Sequence, residues 1–387
     1  MIKEVKKITQ DLKEELTILS EEIFENPELG YEEFNACRGH VELLKKHDFI
    51  VEEEYLGMKT AFKAVFDSGK EGPSIAFLSE YDALPGIGHG CGHNLLGATN
   101  TGAGIVLSKL IKNFKGKVVV FGTPAEETSG AKVQMTDEGA FNDIDIAMEV
   151  HPGSKHNKSG TSLAMQAIQF TFKGKTAHAA ASPEKGINAL DAAINTFVNI
   201  NALRQHIKST SRIHGIIKEG GKAANIVPDL AIAQFYVRAT TKTYLNELVE
   251  KVKNCANGAA IATGAKLDIS NYEASYDNLI TNEILSNLYC QNLKEMGVEE
   301  IHEARESFGS LDIGNVSQVV PTIHPYFGIC EEDIAGHTIE FAEATRTSMA
   351  YDSMEQTIGA LVLTAMDILK NDDFLDKIRE EFKNSEK

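Results

Sequence analysis

Leu12, Leu16, Leu19 and Ile23 recur at intervals of three and four, which predicts an amphipathic helix from about Thr9 to Phe24. Asn26-Pro27-Glu28-Leu29-Gly30 ends it, and a second helix is expected from Glu32 to His47. Short β-rich runs follow at Thr60 to Phe66, Ser74 to Ser79, Lys117 to Gly122 and Ile144 to Val150, with a helical stretch from Thr101 to Lys112 between the middle two. Strands alternating with helices predict an α/β sheet covered on both faces.

The middle of the chain has another rhythm. Gln166 to Lys173, Arg212 to Lys218, Leu230 to Val237 and Lys266 to Tyr272 read as strands, and Gly186 to Ile207 and Tyr244 to Thr263 as helices. The order β-α-β-β-α-β is the ferredoxin-like pattern. An apolar strand near Thr322 to Phe327 and a closing helix from Ser348 to Lys370 then resume the first pattern. The expected fold is therefore α/β and two-domain. An open mixed-sheet domain takes residues 1–165 and 276–387, and a smaller domain is inserted at 166–275. A chain of 387 residues suits two cores better than one.

A net charge of −18 leaves no basic field for nucleic acid or for anionic membranes. No stretch approaches the ~20 apolar residues of a membrane span. Five cysteines (Cys37, Cys91, Cys255, Cys290, Cys330) make an odd set without repeated spacing, which points to a reducing cytoplasm and not to a disulfide framework.

Candidate chemistry collects just past the predicted strands. Glu80 and Asp82 follow Ser74 to Ser79, Glu126 and Glu127 follow Lys117 to Gly122, and His151 follows Ile144 to Val150. In open α/β sheets this carboxyl edge is where ligands bind. Cys91 and His93 stand two residues apart in a Gly-rich loop, where a thiolate and an imidazole can face one borderline-soft ion such as Zn²⁺. In the Glu126–Glu127 pair, one carboxylate can bind metal while the other takes a proton from water acidified by it. So mixed a donor set can hold two ions. His89, His156, His206, His214, His302 and His324 read as loop or surface histidines, and Asp312 as structural. There is no Gly-x-Ser-x-Gly elbow, no His-Glu-x-x-His helix and no P-loop.

Eight short motifs in order resemble the aminoacylase / aminobenzoyl-glutamate hydrolase family of metallopeptidases and amidohydrolases, over essentially the whole chain. They are Asn26-Pro27-Glu28-Leu29-Gly30, Asp82-Ala83-Leu84-Pro85, Cys91-Gly92-His93, Pro124-Ala125-Glu126-Glu127, His151-Pro152, Ala177-His178-Ala179, Asn225-Ile226-Val227-Pro228 and Gly336-His337 with Glu340-Phe341. The resemblance implies that Cys91, His93, Glu127, His151 and His337 bind two divalent ions, that Glu126 is the general base and that Asp82 orients His93. It implies that the inserted domain dimerises and that His178 reaches a neighbouring active site to stabilise an oxyanion. Asn225 and Arg238 would hold the substrate's carboxylate or carbonyl.

The expected reaction is attack of metal-bound hydroxide on N-acyl amino acids, aminoacyl amides or small dipeptides, with zinc, manganese or cobalt as the metal. A peptidase for longer peptides and a metal-stabilised scaffold without turnover are the rival readings. Asn94 and Glu80 stand where many family members have Asp, a combination closer to the aminobenzoyl-glutamate hydrolase and dipeptidase-like subgroup.

Overall fold

The computed structural model describes residues 1–112, 114–304 and 308–385. In chain order the first elements are α1 (Ile2–Glu25), α2 (Phe34–Lys46), β1 (Ile50–Glu53), β2 (Phe62–Asp67), β3 (Ser74–Ser79), α3 (His93–Ile111), β4 (Lys117–Gly122), α4 (Ala131–Asp137), β5 (Ile146–Met148) and β6 (His151–Gly153). Next come β7 (Ala164–Lys173), α5 (Ala189–Leu203), β8 (Arg212–Glu219), β9 (Leu230–Ala239), α6 (Lys242–Thr263) and β10 (Lys266–Asn271). The chain closes with α7 (Glu283–Glu295), α8 (Ile313–Ser317), β11 (Thr322–Ile323), β12 (Tyr326–Gly328), α9 (Ile339–Ala344), α10 (Ser348–Lys370) and α11 (Asp372–Asn384). Two compact units form. One comprises Met1–Thr161, Leu279–Ser307 and Leu311–Glu386, and the other is chiefly Ser162–Asn278 with Phe308–Ser310.

The first unit carries a six-stranded sheet in the order β1-β2-β4-β3-β5-β11. Strands β4, β3, β5 and β11 run parallel, while β2 pairs antiparallel with β4 and β1 with β2. Side chains alternate between its faces. Ile75, Phe77, Val118 and Val120 join α1, α3 and α10 in the larger core. Ala76, Leu78, Val119 and Phe121 face the other way, toward α4 and α8. Every residue of α3 except Lys109 is buried.

The second unit is a four-stranded antiparallel sheet in the order β10-β7-β9-β8. Strand β9 alternates cleanly, with Ala231, Ala233, Phe235 and Val237 buried in a core that also takes Leu245, Leu248 and Val252 of α6. Among the described residues, no helix is long and apolar enough to cross a membrane.

Two elements differ from the sequence reading in ways that matter for the site. Helix α3 begins at His93, eight residues before the expected Thr101, because its first turns carry the weak helix formers Asn94, Gly97, Thr99 and Asn100, and burial overrides propensity. The expected strand Thr322–Phe327 is two strands. β11 pairs with β5, and β12 pairs with β6 in a separate two-stranded sheet. His324 and Pro325 make the break opposite Glu149 and Val150, and the Pro325 carbonyl accepts from the His151 amide at 3.0 Å.

Candidate metal centre

Four parallel strands of the first unit deliver polar side chains to one edge: Glu80 and Asp82 after β3, Glu126 and Glu127 after β4, Glu149 and His151 after β5, His324 after β11. Cys91 and His93 arrive from the Gly-rich loop and the first residue of α3. The turn between them needs glycine at 92, where φ is +84° and a Cβ would stand 2.5 Å from Pro152 Cγ. His337 comes from the loop before α9, tied back by its amide to the Gly90 carbonyl at 2.8 Å.

These side chains form two ligand groups that share one thiol. Cys91, His93 and His151 can point donor atoms at one position, and Cys91, Glu127 and His337 at another, with each group's donors within 4.8 Å of one another. Cys91 Sγ lies 3.5 Å from His151 Nε2, and His337 Nε2 lies 3.4 Å from Glu127 Oε1. A third group, His93, Glu126 and Glu127, places Glu126 beside both. The ring of His93 is set by Asp82, whose Oδ1 is 2.9 Å from Nδ1 and whose Oδ2 accepts from the Glu127 amide at 2.9 Å. His151 is set in the same manner, with Nδ1 2.7 Å from the Pro152 carbonyl oxygen. Each imidazole thus turns Nε2 toward the centre.

The set fits two divalent cations. His93 Nε2 and Glu80 Oε2 face each other at 3.1 Å, both buried and neither in a hydrogen bond with the described residues. Buried polar atoms left in that condition are costly unless a cation satisfies them. The donors combine one thiol, imidazoles and carboxylates, a mixture that accommodates borderline-soft ions.

The local electrostatics are those of a crowded acidic pocket. Burial, then the carboxylates of Glu80, Asp312 and Glu127, push Glu126 well above the usual carboxyl range. Burial also opposes charge on Glu127, but His337 and His93 hold it down to about 2. Burial pushes His151 down to about 3 and raises the Cys91 thiol, which His93 pulls the other way. His93 moves up against its burial, drawn by Glu80, Cys91 and Asp82.

Beneath the candidate ligands lies a group that the sequence reading missed. Lys132, on α4 and wholly buried, ion-pairs with Glu80, with Asp312 at 2.7 Å and with Glu149 at 3.4 Å. Burial opposes charge on Glu80, yet Lys132, His93 and His151 hold it down to about 2. His324 Nε2 lies 3.3 Å from the far oxygen of Glu149. His324 and His89 are therefore buried and not surface histidines; His324 serves this network and His89 Nε2 meets the Ile23 carbonyl at 3.0 Å. Asp312 pairs with Lys132 and stands with Glu80 and Glu126 in a further group of converging carboxylates. The available signal for Glu149 and His324 was a polar residue inside an apolar run, at the carboxyl end of the shorter strand that forms there. Asn94 lies apart from this chemistry in its bonding, donating to Ser20 Oγ and Thr345 Oγ1 at 3.1 Å each and so tying α3 to α1 and to the end of α9.

The remaining predicted residues belong to the second unit. His178 is exposed on the loop after β7, and its Nδ1 accepts from the amides of Ala180 and Ala181 at 3.3 and 3.2 Å. Those bonds leave the proton on Nε2, which makes that nitrogen a donor. Asn225 is next to it: His178 bridges Ile226, and the Ala179 amide donates to the Asn225 carbonyl at 3.0 Å. Arg238, on β9, is half-buried, and its Nη1 donates to Ser310 Oγ at 3.0 Å and to the Phe308 carbonyl at 3.3 Å.

A model of peptidase family M20/M25/M40 matches residues 76–366. The chain is 38% identical over 388 residues to the Xaa-Arg dipeptidase of Mus musculus, covering 96% of this chain and 89% of that one. It is 32% identical over 313 residues to a p-aminobenzoyl-glutamate hydrolase polypeptide of Escherichia coli (strain K12), covering 76% and 64%. Among solved structures, the Bacillus subtilis YXEP protein, described as a dinuclear metal binding peptidase from the M20 family, superposes with a TM-score of 0.70 at 20% identity, over 92% of this chain and 99% of that one.

Proposed function

The chain belongs to peptidase family M20/M25/M40 and is a metal-dependent hydrolase of amide or peptide C–N bonds, and within that class we propose a dipeptidase that releases a C-terminal amino acid, arginine foremost, from a small acyl or aminoacyl partner. The observation that carries the reading is the pair of ligand groups sharing Cys91 with Glu126 at their side. The preference for arginine rests on the 38% identity to a Xaa-Arg dipeptidase along nearly the full length of both chains.

Cys91, His93 and His151 would hold one ion, and Cys91, Glu127 and His337 a second. Zinc is the first choice because the thiolate is soft, and manganese or cobalt suits the carboxylates. The ions' part is to polarise the scissile carbonyl and acidify a water. Cations at the two neighbouring positions would favour the charged form of Glu126, which would take the proton from the attacking water and pass it to the leaving amine. Asp82 keeps His93 in the tautomer that frees Nε2 for metal. The second unit is a ferredoxin-like dimerisation domain. Its His178 donates from Nε2 to the developing oxyanion of the partner subunit's reaction, while Asn225 and Arg238 hold the substrate's carboxylate. The five free cysteines suit a reducing cytoplasm.

The test is metal analysis followed by a screen with zinc, manganese or cobalt restored. Alanyl-arginine, alanyl-glutamate, N-acetyl-arginine, p-aminobenzoyl-glutamate and a tripeptide ending in arginine form the panel. Two ions per chain and fastest turnover of alanyl-arginine are expected. Preference for the tripeptide would establish the broader peptidase instead, and two bound ions with no turnover of any member would leave a scaffold.

A further inference from the structure

The segment from Ile23 to Asn35 supplies no metal ligand, yet it touches the Gly-rich loop and the loops after β3 and β4. The Ile23 carbonyl meets His89 Nε2 in the Gly-rich loop at 3.0 Å. The Glu28 carbonyl accepts from the amide of Ala83, next to Asp82, at 2.8 Å. Gly30 lies so close to the loop after β4 that a Cβ would stand 2.9 Å from Ala125 Cβ and 3.0 Å from Ala125 Cα. Glu33 completes the contact. Its side chain is wholly buried, with Oε1 accepting from the Ala125 amide at 2.8 Å and Oε2 from Thr60 Oγ1 at 2.9 Å.

Ala125 is the residue before Glu126, and its φ is +63°. A side chain with a Cβ disfavours that left-handed conformation, so something must hold it. Its carbonyl is held from one side, accepting from the Ser129 and Gly130 amides at 3.1 and 2.7 Å. From the other side, Glu33 holds its N–H. A backbone conformation of this kind persists when its surroundings over-determine it, and such sites cluster where side chains must be aimed. Two residues further on, the Glu127 amide is pinned to Asp82 at 2.9 Å. Glu126 thus sits between two fixed points, and Glu33 makes one of them.

We propose that Glu33 is a positioning residue: its carboxyl group holds Ala125 in the left-handed conformation that aims Glu126 into the metal centre. The inference rests on the reading of Glu126 as the base. It gives the Asn26-to-Glu33 stretch a task, that of a clamp on the catalytic loops from outside the ligand set.

The experiment compares Glu33→Leu, Glu33→Gln and the double variant Glu33→Leu/Ala125→Gly in the full chain with both ions restored, on alanyl-arginine. In Glu33→Leu, kcat falls about tenfold to a hundredfold, as for a misaimed group, while KM and the two-ion content hold. Glu33→Gln keeps kcat, because its carbonyl still accepts from the Ala125 amide. Ala125→Gly restores most of the loss in the double variant, since glycine takes positive φ unaided. Hydrogen exchange at the Ala125 amide, read without substrate, is protected in the wild type and Glu33→Gln and fast in Glu33→Leu. Should Glu33→Leu not fold, Glu33→Ser, too short to reach the amide, carries the same expectations.

Unchanged exchange at Ala125 overturns the proposal whatever the substrate proves to be, and so does a loss of kcat that glycine at 125 leaves unrepaired. Normal turnover in Glu126→Gln would instead remove the base assignment and leave the exchange result to judge Glu33.

Discussion

Glu126 is buried among Glu80, Asp312 and Glu127, with wholly buried Lys132 behind them; His178 and Asn225 sit exposed on loops of the second unit. Charge is handled oppositely in the two places. The first gathers carboxylates where their mutual repulsion and desolvation are severe, and satisfies them with an internal ammonium and cation positions. The second offers hydrogen-bonding groups to water and stores no such cost. Substitutions in the first should therefore disturb several properties at once unless they are isosteric, whereas those in the second should touch turnover alone.

The largest effect is expected from an isosteric change in the first region. Glu126→Gln keeps volume and hydrogen bonding but cannot take a proton, so kcat should fall by ~10²–10⁴-fold, with both ions still bound by elemental analysis. Near-normal turnover would sink the base assignment. Next comes Lys132→Met, which leaves Glu80, Asp312 and Glu149 buried without their shared cation. Removing one member of such a buried set costs about 3–5 kcal/mol, and a thermal or denaturant melt of the variant should lose that much. A melt within about 1 kcal/mol of wild type, on the order of a surface substitution, would mean that the network carries no net burden.

The contrast also explains what could be read ahead of the structure. The candidate ligands Cys91, His93, Glu127 and His151 were legible because each follows a strand or a glycine turn within a few residues, and strand ends in a parallel sheet share one edge. Lys132 was not. It lies on the seven-residue helix α4, too short to show a period, and its partners Glu80, Glu149 and Asp312 are 52, 17 and 180 residues away. Nothing local marks a lysine as buried when the carboxylates that admit it come from other elements. Glu33 was hidden likewise, since Glu32-Glu33 reads as a solvated pair until Thr60 and Ala125 close over the second member. In the second unit the alternation of β9 announced its own strand, but an exposed histidine such as His178 has no local signature, and only its resemblance to a motif singled it out.

His178→Ala tests the other side of the contrast. If His178 donates to an oxyanion, its loss should lower kcat by ~10²–10³-fold while metal content and melting temperature stay put. Loss of metal would place it among the ligands, and loss of stability would deny the difference between the two regions.

The smallest effect is a change of slope with pH. Burial, then the nearby Asp82, lifts Glu33 from 4.5 to about 7. The fold thus favours its protonated form. The stabilisation this brings is complete below pH 4.5 and fades as pH rises through about 7. Glutamine has no proton to lose and resembles the protonated acid in shape. Glu33→Gln should therefore gain on the wild type by about 1–3 kcal/mol between about pH 5 and 8, a range set by the size of the shift. Loss of metal at low pH affects both proteins alike, so the difference between their melting curves at each pH isolates the one carboxyl. Parallel curves would mean that Glu33 ionises in the fold as readily as in the unfolded chain. The Ala125 amide would then be held by a full carboxylate throughout this range, a stronger tether that glutamine could not equal, and kcat in Glu33→Gln should fall as well.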